Sequence, residues 1–155
     1  MTAQRLFARS FDSLQAIFAF SSDFFARHAL DPHLLQSVDL TLEELFTNMV
    51  KYSPGGEASV SVEMRALCGG VEVQMTDYDV DRFDVTQTPD ADIDLPLEAR
   101  RPGGLGLHLI RRLVDSLHYE YSDADRQSRI TFRKTVTGRR PGDGAAQKGG
   151  ADAAD

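Results

Sequence analysis

The sequence predicts an α+β domain, a two-layer α/β sandwich with helices packed on one face of a mixed, mainly antiparallel sheet. Three observations lead there. Ala58 to Ala66 and Val71 to Thr76 alternate apolar and polar residues with the period of a half-buried strand, and Gly69 and Gly70 between them make the turn of an antiparallel hairpin. Phe11 to Phe25 and Leu34 to Met49 instead repeat their apolar residues at helical intervals. A second hairpin closes the folded part, and elements distributed in this way stack as helices over one sheet face.

In chain order, Gln4 to Ala8 is expected as a short first strand, with Leu6 alternating with polar neighbours. Ser10 is placed to cap a helix whose core-facing residues are Phe11, Leu14, Ile17, Phe18, Phe24 and Phe25. Asp31 followed by Pro32 marks the next helix start, because the carboxylate caps free N–H groups and proline at the first position has no N–H to leave unpaired. Leu34, Leu35, Val38, Leu42, Leu45, Phe46 and Met49 continue this helix for about five turns, until Ser53, Pro54, Gly55 and Gly56 stop it.

After the hairpin, Asp79 to Arg101 is acidic, broken by Pro89 and Pro96 and without a period, so it reads as a long functional loop. Leu105, Leu109, Ile110, Leu113 and Leu117 predict a third helix just after Gly103 and Gly104. His118 to Tyr121 and Arg129 to Val136 form the second hairpin, with Ile130 and Phe132 inward. Gly138 to Asp155 is Gly, Ala and charge without an apolar period, a flexible tail. The expected organisation is one domain over residues 1–136 and a tail over 137–155.

Composition narrows the function. The 155 residues carry 17 basic and 24 acidic side chains, a formal charge of −7, and the charges of the tail cancel. An acidic surface has the wrong sign for nonspecific binding to nucleic acid or to an anionic membrane, so a protein partner is expected. Cys68 is the only cysteine, which excludes an intrachain disulfide and a zinc–cysteine cluster. No stretch has the roughly 20 apolar residues that cross a bilayer, and the N-terminus lacks a signal-peptide apolar region. A cytoplasmic setting is therefore expected.

Three groups of residues carry chemistry. Glu44 and Asn48 are one turn apart on one helix face, where an amide oxygen can bind magnesium and a carboxylate can accept a proton. Taken alone, the pair also fits an ordinary solvated face. Asp77 continues the inward series Val71, Val73 and Met75, so its carboxylate is aimed at the apolar layer and requires either a structural partner or a ligand. An adenine amino group is a donor that such an acceptor reads. Gly103, Gly104, Leu105 and Gly106 open the third helix, where free N–H groups and the helix dipole favour phosphate.

The order of these groups resembles the GHKL (Bergerat-fold) ATPase domain, and within it the RsbW-type anti-sigma factors that double as serine/threonine kinases. TLEELFTNMVKYS resembles their N box, MTDYDVDRFD the first glycine box and RPGGLGLHLIRRLVDSLHYEYSD the second. The resemblance implies that Asn48 is the magnesium ligand, Glu44 the general base and Asp77 the adenine reader. It further implies that Gly103, Gly104, Leu105 and Gly106 line the phosphates of ATP, that Arg100 or Arg101 reaches them from the loop, and that Ser128 contributes from the last strand. Asp79 stands where these proteins usually have glycine, and Asp81 follows as a second added charge near the nucleotide. The implied partner is a STAS-type anti-anti-sigma protein, with a sigma factor as a second target and homodimerisation common among such proteins. The alternative function is a partner-binding module with a degenerate nucleotide site.

Overall fold

The computed structural model describes residues 1–52, 59–82, 84 and 104–137. In chain order they form β1 (Thr2–Phe7), α1 (Leu14–Arg27), α2 (Leu35–Tyr52), β2 (Val60–Leu67), β3 (Gly70–Asp77), α3 (Gly104–Leu113), β4 (Ser116–Ser122) and β5 (Gln127–Thr135). The strands make one sheet in the order β1-β2-β3-β5-β4, and each pairing is antiparallel. The sheet, expected to be mixed and mainly antiparallel, is antiparallel in every pairing among the described residues. Most of the expected loop from Asp79 to Arg101, the start of the first hairpin at Ala58 and the tail from Gly138 lie outside the described residues.

Both helix starts form as the capping chemistry requires. Ser10 accepts a hydrogen bond from the Asp12 N–H and opens a 3-10 turn, Phe11–Ser13, that runs into α1. Asp31 accepts from the His33 N–H at 2.9 Å and opens the turn Pro32–Leu34 before α2. Val38, Leu42, Leu45, Phe46 and Met49 of α2 are buried against Val60, Val62, Met64, Val71, Val73, Met75, Ile130 and Phe132 of the sheet. Ser21 is the polar residue on the buried face of α1, and it is satisfied by donating to the Phe18 carbonyl and to Asp39 on α2. The turn of the first hairpin falls on Cys68 and Gly69, and Gly69 takes a φ of +77° that favours glycine.

Four expectations are corrected. β1 begins at Thr2 and turns the other side inward: Phe7 is buried and meets Phe20 edge to face, while Leu6 is 61% exposed. The register explains this, since Phe7 lies opposite Val60 on the helix-covered face and Leu6 opposite Ser61 on the other. Among the α3 residues whose side chains are described, Leu107 and Ile110 are buried, whereas Leu109 is 49% exposed. Leu117 belongs to β4, because the helix ends at Leu113 and the chain turns back into the sheet at Val114 and Asp115. Phe11, placed in the core from its spacing, is exposed on the 3-10 turn that precedes α1.

Candidate functional site

α2 supplies the first pair. Asn48 is buried and Glu44, one turn earlier, is half-buried, so both sit at the margin of the apolar stripe. The Asn48 Nδ2 donates to Glu44 Oε1 at 3.3 Å. An ionised carboxylate only accepts, so the amide nitrogen must face it and the amide oxygen Oδ1 is directed elsewhere. Burial pushes the Glu44 carboxyl above its ordinary value, against the opposing effects of the Asn48 hydrogen bond and the Lys51 charge. A carboxylate held in this way is a better proton acceptor near neutral pH.

The first turn of α3 closes on Glu44. A Cβ at Gly106 would lie 2.2 Å from the Glu44 Cδ and 2.3 and 2.4 Å from its two oxygens. Only glycine lets the α3 backbone approach the carboxylate so closely. Gly104 and Leu105 are the first two residues of α3, while Gly103, Arg100 and Arg101 lie outside the described residues.

The sheet supplies the other end. Val71, Val73, Met75 and Asp77 share the inner face of β3 and are fully buried. Their partners on β5 are Lys134, Phe132, Ile130 and Ser128, so the inner apolar layer ends on a buried polar rung, Asp77 opposite Ser128. Asp77 has a structural partner: Arg9, in the segment between β1 and α1, donates from Nη2 to Asp77 Oδ1. Arg9 also donates from Nη1 to the Met49 carbonyl at 2.5 Å, next to Asn48. Gly106, Glu44, Asn48, Arg9, Asp77 and Ser128 thus form a linked path across α3, α2, β3 and β5.

Asp79, where glycine was expected, has a φ of +54°, the left-handed conformation that aspartate tolerates better than most residues. Neither added charge stands alone. Arg126, in the β4–β5 turn, pairs with Asp79 at 3.2 Å and Asp81 at 3.0 Å. Between them, Val80 is buried, its N–H donates to the Arg126 carbonyl at 3.0 Å, and its carbonyl accepts from the Tyr121 hydroxyl at 2.7 Å. Sequence reasoning missed both arginines. A buried aspartate called for a cation, and Arg9 beside the apolar residues Phe7 and Phe11 was the available signal. Arg126 gave no signal, since its role depends on where the turn lands.

Five antiparallel strands backed by three helices, with a polar rung at the end of β3, define the α+β architecture of a GHKL-type ATPase domain. The chain belongs to the histidine kinase-like ATPase domain family, which its residues 7–134 match. No curated protein matches it. Among solved structures, the RsbU and RsbW domains of Rv1364c from Mycobacterium tuberculosis share the fold at a TM-score of 0.60 and 13% identity. That match covers 87% of this chain and 32% of the other, so this chain spans about a third of that protein's length. The Acinetobacter baumannii histidine kinase AdeS matches at a TM-score of 0.41 and 15% identity, over 86% of this chain and 67% of that one. No described helix is long and apolar enough to cross a membrane.

Proposed function

We propose that the chain is a magnesium- and ATP-dependent serine/threonine protein kinase of the anti-sigma type that phosphorylates a STAS-type anti-anti-sigma partner in a partner-switching pathway. Residues 1–136 form its catalytic unit, and residues 137–155 lie outside it. The observation that carries this reading is the close approach of Gly106 to Glu44, which brings a helix N-terminus against a carboxylate with a raised pKa that also accepts from the Asn48 amide. The donor set fits the cofactor. The Asn48 Oδ1 faces away from Glu44 and is the kind of hard oxygen ligand magnesium takes, with phosphates and water completing the shell. Magnesium, when bound, supplies charge neutralisation at the phosphates.

In this reading Glu44 accepts the proton of the substrate hydroxyl as its oxygen attacks the γ-phosphorus and ADP leaves. Asp77 and Ser128 face the base, Gly103, Gly104, Leu105 and Gly106 give N–H groups to the phosphates, and Arg101 neutralises their charge. The setting is cytoplasmic, a sigma factor is the second target, and the active form is a homodimer. Purified protein incubated with radiolabelled ATP and its antagonist should yield phosphoserine or phosphothreonine, lost in Glu44→Ala and Asn48→Ala. Tight ATP binding without transfer overturns the kinase assignment.

The Arg9–Asp77 pair favours a second reading, a module that holds its partner without nucleotide, because the carboxylate assigned to adenine is already engaged. Calorimetry separates the two. Partner binding that is equal with and without magnesium-ATP, in a protein that binds no ATP, establishes the second reading.

A further inference from the structure

We propose that Arg9 is an internal competitor for the base-reading carboxylate, so that an adenine nucleotide must win Asp77 from a guanidinium in order to bind. The inference rests on the nucleotide site proposed above and adds to it a residue that sets how tightly the base is held.

The geometry supports competition over mere scaffolding. The Arg9 side chain is 8% exposed and that of Asp77 is 0% exposed, so the pair is shut off from solvent, and a ligand that takes Asp77 Oδ1 must displace the arginine from it. Arg9 holds Asp77 with one nitrogen and the Met49 carbonyl with another, and thereby ties the base end to the helical turn that carries Asn48. Its third nitrogen, Nε, is buried with no hydrogen-bond partner among the described residues. A buried donor left over is costly, and an arginine optimised only for stability would have it satisfied.

The exchange chemistry sets the sign. The exocyclic amino group of adenine is a neutral donor. The guanidinium is a charged one, and hydrogen bonds with an ionised partner are about twice as strong as neutral ones. When adenine replaces Arg9 it trades a stronger bond for a weaker one, so the base adds little to affinity. Without Arg9, Asp77 gains a donor on binding and the base adds its full contribution.

The test uses Arg9→Met, an unbranched apolar side chain, and Arg9→Lys, which keeps the charge but cannot hold Asp77 and the Met49 carbonyl together. Calorimetry compares magnesium-ATP with magnesium–purine riboside triphosphate, which lacks the amino group, and circular dichroism verifies folding. Wild type is expected to separate the two nucleotides weakly. Arg9→Met should bind ATP about tenfold tighter, the worth of one hydrogen bond to a charged group, and leave the analogue unchanged. Arg9→Lys should fall between, and it carries the test alone if Arg9→Met does not fold. An Arg9 variant that folds and binds ATP no tighter than wild type, or an equal gain for both nucleotides, overturns the inference. If wild type binds ATP and loses it in Asn48→Ala, that failure leaves the nucleotide site standing. No binding by wild type and by either Arg9 variant overturns both.

Discussion

Gly106→Ala puts the closest approach in the site under test. The new Cβ would lie 2.2 to 2.4 Å from the Glu44 carboxyl atoms, and ordinary contact begins near 3.4 Å, so the carboxylate must withdraw by about 1 Å (3.4 − 2.4). The obstructing atoms are the far end of a flexible, half-buried side chain, which moves without unfolding the core. Alanine gains up to about 1 kcal/mol of helix propensity over glycine, and loss of the Asn48–Glu44 hydrogen bond returns about 1 kcal/mol. Stability should therefore barely change. Catalysis should not escape, because a displacement of about 1 Å costs on the order of a hundredfold in rate. Urea denaturation run beside transfer of radiolabelled phosphate reads both quantities. An unchanged denaturation midpoint with an unchanged transfer rate refutes the reasoning that Glu44 works from this position.

Three further outcomes follow from particular contacts. Because Glu44 has to be ionised to accept a proton, the transfer rate should fall on acidification at a pH above the ordinary carboxylate value of 4.5. The same raised pKa means that ionising Glu44 costs the folded state, so Glu44→Gln should be more stable than wild type at neutral pH and lose that advantage below 4.5. Asp77→Ala leaves the Arg9 charge buried without its carboxylate and should cost about 3 kcal/mol in urea denaturation, and a loss under about 1 kcal/mol contradicts the pairing. Phe7→Ala should cost about 3 kcal/mol or more while Leu6→Ala stays within about 0.5 kcal/mol, and equal effects would contradict the register of β1.

Periodicity made most of the fold legible, because the helix-facing residues of α2, β2, β3 and β5 follow the spacing that burial demands. It failed where an element was short. In β1 only Leu6 and Phe7 are large and apolar, so the face was decided by pairing with β2, which a single strand does not encode. In α3 the spacing predicts Leu109 inward, and packing against α2 buries Leu107 instead. What was legible of the candidate site is placement: Glu44 and Asn48 lie one turn apart on α2, Asp77 is on the inner face of β3, and Gly106 meets Glu44. The partners that set their electrostatics were not legible. Arg9 lies far from Asp77 in sequence, and only the pairing of β1 with β2, which in turn pairs with β3, brings it within reach of both Asp77 and Met49.

The position of β5 has a consequence for how the molecule is made. It is the last described strand to leave the ribosome, yet it sits between β3 and β4 and pairs with both. Until Gln127–Thr135 has emerged, β3 keeps a bare edge, β4 has no neighbour, and the apolar layer lacks Ile130 and Phe132. The nascent chain therefore cannot complete its sheet before residue 135 has emerged, and a stop codon before residue 127 removes the rung that Ser128 makes with Asp77 together with the seam of the sheet.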